Sequence, residues 1–272
     1  MARQRLGQHF LADENWQEEI AREIGVSQNS RNFFVPGPER EFCWIEIGAG
    51  HGEMTRHLLA AGKPVIAVEL DPPLAKRLGK LAVQFPNFHV HHGDVLKTDL
   101  RTLAAGRRIK IYGNLPYYIT SPILHHFFAV ADLIDEIHIV IQQEVALRLA
   151  AKPGTRDYGY LSVLTQYFSW PTIALKIPRE AFSPPPEVAS ALVSLKLPGQ
   201  KAELRIVDED KFLDFVKLCF AQKRKTLVNN LRAIAKPDAT RDALKSLELA
   251  PEARAEELSV SSLASLFGRI AS

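Results

Sequence analysis

Cysteine is scarce in this chain: 272 residues contain two, Cys43 and Cys219. They lie far apart in apolar stretches, so they read as reduced core thiols, and neither a disulfide framework nor a metal site is expected. Long apolar runs are missing too. None approaches the roughly 18 residues that cross a bilayer. The opening MARQRLGQHFLADENW has no apolar core of a secretory leader, so a cytoplasmic address and no membrane partner are expected. Charge excess is small, with 34 Lys and Arg against 31 Asp and Glu, or +3. That balance fits selective docking on a structured particle better than indiscriminate binding to any polyanion. With 46% hydrophobic and 24% charged residues, disorder is excluded as the main theme. The length accommodates one domain, or a large domain and a smaller one.

What charge there is clusters. Between Lys217 and Lys236 stand six basic residues, Lys217, Lys223, Arg224, Lys225, Arg232 and Lys236, and no acidic one. Such a run is either a solvated helix face or a patch that holds phosphates.

Strand and helix patterns alternate along the first part of the chain. CWIEIGAGHGEMTRHLLAAG reads as strand, glycine turn and amphipathic helix; PVIAVEL, NFHVHHGDVL, RIKIYGN and EIHIVI follow as strands separated by helical stretches. This predicts an α/β fold with a doubly wound, mostly parallel, Rossmann-like sheet, whose ligands sit at the carboxyl ends of the strands. After Tyr158 a helix precedes two late strands, TIALKIP and VASALVSLKL, which predict an antiparallel edge. LPGQK at 197–201 reads as a linker, and the tail beyond it carries only helical spacing. The expected division is an α/β domain over 1–200 and a small all-helical domain over 201–272.

Chemistry-bearing residues fall at successive strand ends. Gly48, Gly50 and Gly52 form G-x-G-x-G between a strand and a helix, where glycine lets backbone amides approach a ligand at the positive helix end. A turn of this kind also serves nicotinamide-binding domains and plain strand-to-helix packing. The dinucleotide fingerprint wants glycine at 53, where this chain has Glu53. Glu69 closes the second strand, where a carboxylate takes both hydroxyls of a ribose. Asp94 closes the third, where it can accept from an adenine amino group; either carboxylate could instead cap the helix after it. Asn114-Leu115-Pro116-Tyr117 follows the fourth strand. Methylating an aromatic amine requires its lone pair to be freed from the ring. The Asn114 amide oxygen and a backbone carbonyl beside Pro116 are two acceptors for the two amine protons, and Tyr117 offers a face to the base. Phe182, in the FSPPP loop, is read either as a second stacking wall or as a core aromatic.

With these residues in place, the chain resembles the ribosomal RNA adenine dimethyltransferases, which use S-adenosylmethionine. The resemblance runs through GQHFL, EIGAGHGEMT, VELD, GDVL, NLPYYIT, QQEVALRL, FSPPPEV and FAQKRKTLVNNLR, and the last block is similar to the bacterial small-subunit branch. It implies cofactor contacts at His9, Leu11, Gly48, Gly50, Glu69, Asp94 and Asn114, with Tyr117 and Phe182 around the target base. It further implies dimethylation of two adjacent adenosines in a 3′-terminal hairpin of 16S ribosomal RNA, linked to small-subunit maturation. Phosphate contacts are expected from Lys223, Arg224, Lys225 and Arg232, with Arg101, Arg107 and Arg108 as weaker candidates. The expected enzyme is a monomer acting on a pre-formed small subunit. Two positions depart from the family pattern: His9 stands where many members have Asn, and Tyr118 where a smaller polar residue is common. A histidine at 9 can still donate to the methionine end of the cofactor. The competing readings are an erythromycin-resistance-type enzyme acting on large-subunit RNA, a nicotinamide dehydrogenase, and a non-catalytic assembly factor on the same fold.

Overall fold

The computed structural model describes residues 9–27, 41–116 and 118–270. A short strand β1 (Phe10–Leu11) leads into helix α1 (Glu14–Glu23). Asp13 caps α1 by accepting the Asn15 N–H at 2.9 Å. Strand β2 (Phe42–Ile47), helix α2 (Glu53–Ala60), strand β3 (Val65–Glu69), helix α3 (Pro72–Ala82) and strand β4 (Phe88–His92) follow in alternation. The prolines after Asp71 occupy the first turn of α3, where a missing N–H costs nothing, and Asp71 caps that helix through the Leu74 N–H at 3.2 Å. Helix α4 (Leu100–Ala104), strand β5 (Arg108–Asn114), helix α5 (Thr120–Phe128), strand β6 (Ile134–Gln142) and helix α6 (Gln143–Leu149) continue the pattern.

Helix α7 (Tyr160–Phe168) and strand β7 (Trp170–Ile177) come next, then the two-residue β8 (Phe182–Ser183) and β9 (Ser190–Lys196). The remaining elements are helices: α8 (Lys201–Leu204), α9 (Glu209–Cys219), α10 (Leu227–Asn230), α11 (Pro237–Ser246) and α12 (Val260–Ile270). Among the described residues, no helix is long and apolar enough to cross a membrane.

The main sheet has the order β4-β3-β2-β5-β6-β9-β7. β4, β3, β2, β5 and β6 run parallel, and β9 pairs antiparallel with β6 in the register Val140↔Leu192. Parallel strands covered on both faces carry apolar residues on both, which is why the central β2 and β3 read as nearly unbroken apolar runs. Alternation still sorts them: Trp44, Ala67, Phe88, Tyr112, Val140 and Leu192 join Ile20 of α1 and Leu58 of α2 in one buried cluster. Chain order places β3 and β4 on one side of β2 and β5 on the other. The gap between β2 and β5 is therefore the topological switch point, where open α/β sheets bind their ligands.

The described residues form two compact units. One joins the chain up to Ala146 with Thr172–Leu197, and the other joins Leu147–Pro171 with Pro198–Ser272. A single cut near 200 matches the final departure from the first unit but not the earlier excursion through α7. That helix packs with α9 and α12. Tyr167 anchors it, with its ring 5.2 Å from that of Phe212 and its hydroxyl donating to Glu209 at 3.1 Å. Helical spacing shows that α7 buries a face; it does not say in which core.

Both cysteines are free and buried. Burial pushes each thiol up from its ordinary range, which makes both poor nucleophiles.

Candidate active site

The site is built at the carboxyl ends of four neighbouring strands. In sheet order, β4, β3, β2 and β5 are followed or closed by Asp94, Glu69, Gly48 and Asn114. Backbone bonds fix these ends against one another: the Gly48 N–H donates to Val68 O at 2.9 Å and the Gly93 N–H to Glu69 O at 3.0 Å. On the far side, the Leu115 N–H donates to Val140 O at 3.0 Å. The result is a cleft of about 890 Å³, including space open to solvent, lined by all four of these residues together with His9, Phe10, Gly50, Leu115 and Pro116. That size suits a ligand larger than an amino acid.

Glu69 is 3% exposed and holds the glycine turn. Its Oε2 accepts the Gly50 N–H at 3.0 Å and its Oε1 accepts the Asp71 N–H at 2.9 Å. An ionised carboxylate has about four acceptor positions, so two remain for a diol in the cleft. Gly50 has φ +60°, and a Cβ there would stand 3.1 Å from the Phe10 ring. Glycine is required on both counts, and the turn keeps its backbone open toward the cleft. Asp94 uses Oδ1 to accept the Leu96 N–H at 3.0 Å. The helix-capping alternative weighed for these carboxylates is thus realised at Asp94, and the same residue still lines the cleft.

Asn114 is oriented by a partner. Its Nδ2 donates to the backbone carbonyl of His9 at 2.8 Å, so its Oδ1 is the atom left to accept. His9 is set in turn by Nδ1 donating to Pro184 O at 2.8 Å, across 175 positions of sequence. β1 makes this possible by pairing antiparallel with β8 in the register Phe10↔Ser183 and Leu11↔Phe182. In the neutral ring the other His9 nitrogen is an acceptor.

Known proteins match this chain over nearly its whole length. The family described as ribosomal RNA adenine dimethylase matches residues 1–272. This chain belongs to that family. A ribosomal RNA small subunit methyltransferase A from Acidobacterium capsulatum is 41% identical, covering 97% of this chain and 89% of that protein. One of the same description from Koribacter versatilis is 37% identical, covering 98% and 93%. Among solved structures, a dimethyladenosine transferase from Plasmodium falciparum superposes with a TM-score of 0.78 at 22% identity, covering 97% of this chain and 98% of that one. The 23S rRNA methyltransferase ErmE superposes at 0.68 and 24% identity, covering 97% and 100%. These two likenesses establish the shared fold.

Within this dimethylase, two expected site residues are buried. Leu11 packs in the core cluster with Ile20, and its carbonyl accepts from Gln17 Nε2 at 2.8 Å. Phe182 is 3% exposed and belongs to the same cluster. Of the two readings of Phe182, this burial favours the core aromatic. Tyr117 lies outside the described residues. Leu70 and Val95, which the sequence reading passed over, both line the cleft and give it apolar walls next to Glu69 and Asp94. Their signal was position: each follows one of the strand-end carboxylates.

The dimethylase also has a polar support that sequence reasoning missed. Glu46, two residues before Gly48, is fully enclosed and accepts from the Thr55 hydroxyl at 2.6 Å, tying β2 to α2 across the glycine turn. Burial, with Glu53 and Glu69 nearby, raises its carboxyl to about 8, against a Thr55 hydrogen bond that lowers it. An acid whose folded pKa is raised takes up a proton on folding. Stability therefore falls as pH rises from the unfolded value near 4.5 through about 8. Glu46→Gln keeps an acceptor for Thr55 and has no charge to bury. The variant is expected to match wild type near pH 5 and to exceed it by a few kcal/mol above pH 8 in chemical denaturation. Parallel stability curves for the two proteins would contradict this account of Glu46.

In the second unit, Lys223, Arg224, Lys225 and Arg232 are all exposed. Lys223 Nζ donates to Arg156 O at 2.7 Å, which uses one of its three donors. Lys217 is paired with Asp214 at 2.9 Å. Of the weaker candidates, Arg101 bonds Asp132 and Arg108 bonds Asp135, so much of their charge is already met; Arg107 Nε donates to Ala104 O.

Proposed function

We propose that this protein transfers methyl groups from S-adenosylmethionine to the exocyclic amines of two adjacent adenosines near the 3′ end of small-subunit ribosomal RNA, twice on each base. The observation that carries this reading is the fixed amide of Asn114. Its NH₂ is held by His9 O at 2.8 Å, so an acceptor is turned out beside the row of strand-end carboxylates.

The cleft fits a nucleoside-bearing cofactor on its own chemistry. Glu69 has acceptor capacity for ribose hydroxyls, Asp94 for an amino group, and Leu70 and Val95 give apolar walls for a flat base. The glycine turn leaves bare backbone where a Cβ would crowd the Phe10 ring. When bound, the cofactor supplies an electrophilic methyl group on a sulfonium centre.

The protein's part is orientation and charge placement, because a sulfonium methyl needs no strong base to activate its acceptor. Asn114 Oδ1 takes one amine proton in a hydrogen bond. A second comes to a backbone carbonyl beside Pro116. The carbonyl of Pro116 itself already accepts the Ile119 N–H at 3.2 Å, which favours the carbonyl of Leu115. Two such bonds draw the amine toward a tetrahedral form, with its lone pair out of conjugation and available to the methyl. Tyr117 is assigned to the face of the target base. The base must leave its stack, and a hairpin loop makes that less costly than a duplex.

Lys223, Arg224, Lys225 and Arg232 supply phosphate contacts that position the RNA without reading its sequence. The enzyme acts as a monomer on an assembled small subunit. Relatives described as ribosomal RNA small subunit methyltransferases, at 37% and 41% identity, support small-subunit RNA as the substrate. Labelled-methyl transfer tests it. Unmethylated small subunits are expected to accept label, and preferential labelling of protein-free large-subunit RNA would favour the erythromycin-resistance type of target.

A further inference from the structure

Tyr118 is 65% exposed, an unusual state for so large an apolar ring, and it lines the same cleft as Asn114, Leu115 and Pro116. It is the exposed aromatic of that cleft among the described residues. Its support is firm. The Ile119 N–H donates to Pro116 O at 3.2 Å. On one side the Leu115 N–H is bonded to β6 through Val140 O, and on the other α5 begins at Thr120, with Ile123 wholly buried. The residues flanking Tyr118 are pinned, and its ring is left in solvent.

We propose that Tyr118 is a specificity-determining residue that stacks on the base next to the one being methylated. The proposal rests on the adenosine reading given above and adds a subsite to it. Extracting a base from a loop strips its neighbour of a stacking partner. An aromatic face fixed at the mouth of the cleft replaces that partner, and base-aromatic stacking of this kind is worth about 10-fold or more in binding. The neighbour is then held while the target is processed. For an enzyme that modifies two adjacent adenosines, that neighbour is itself the other substrate base.

The test is a cycle between protein and RNA. Small subunits are reconstituted with the natural adenosine pair or with one adenosine made abasic, each position in turn. kcat/KM is then measured for wild type, Tyr118→Ala and Tyr118→Trp, with the Kd for S-adenosylmethionine taken separately. Tyr118→Ala is expected to lose about 10-fold or more on the natural pair and to show almost no further loss when the neighbour is abasic. Tyr118→Trp is expected to restore the natural-pair rate. A Tyr118→Ala loss of the same size on both substrates would overturn the proposal, as would a matching loss of cofactor affinity, since the ring would then serve the target base, the cofactor or the fold. Failure of the adenosine reading is distinct: wild type would then leave the natural pair unmethylated.

Discussion

Asn114→Ala is expected to lower kcat for methyl transfer by about 10²- to 10³-fold at saturating cofactor, the scale of removing one group placed to stabilise a developing charge. Asn114 is the last residue of β5, and the His9 carbonyl 2.8 Å from its Nδ2 forbids the flipped amide. Oδ1 is therefore fixed before substrate arrives, and its hydrogen bond strengthens as the amine nitrogen gains positive character. Removing it acts on the transition state more than on binding, so the loss falls on kcat. Losing the bond to His9 costs about 1 kcal/mol of stability, small enough for the variant to remain folded. Asn114→Asp separates the two functions of the side chain. It keeps acceptors but places a carboxylate oxygen against the His9 carbonyl, so it is expected to retain little activity despite its charge. Steady-state kinetics with thermal melting decide the matter: a folded Asn114→Ala enzyme with kcat near wild type would remove Asn114 from the chemistry.

Glu69→Ala is expected to raise the Kd for S-adenosylmethionine by about 100-fold or more. Two hydrogen bonds from ribose hydroxyls to a charged acceptor are each worth about 1.5–3 kcal/mol, and either would suffice for a tenfold effect. The variant also strips Gly50 and Asp71 of the acceptor for their N–H groups, which loosens the turn that shapes the cleft. Glu69→Gln keeps one acceptor oxygen and is expected to fall between alanine and wild type. Calorimetric titration of the free enzyme with cofactor reads this directly. Binding by Glu69→Ala within about threefold of wild type would contradict the role given to this carboxylate, since a charged acceptor in contact contributes more than that.

The parts of the site that lie at strand ends were legible in the sequence, because alternation of strand and helix fixes where each strand stops. Gly48, Glu69, Asp94 and Asn114 needed only that count. The parallel sheet was legible for the same reason, as an apolar run is the mark of a strand covered on both faces. The burial of Phe182 and Leu11 was not legible, because burial is not local. Their positions depend on β1 meeting β8 across most of the α/β unit, and two-residue strands leave no periodic signal. The His9 to Asn114 link was hidden by that same distance. Glu46 left a fainter trace, a single carboxylate within the strand run CWIEI, and a charge there demands a partner such as Thr55. Helix α7 shows the limit of periodicity: its apolar face was evident, and the core that receives it was not.

The most direct measurement is nucleoside analysis by mass spectrometry after incubating the purified protein and S-adenosylmethionine with unmethylated small subunits. The account predicts dimethyladenosine at two adjacent positions near the 3′ end of the small-subunit RNA, with monomethyladenosine as a transient. Cofactor bound at saturation with no dimethyladenosine formed would contradict it.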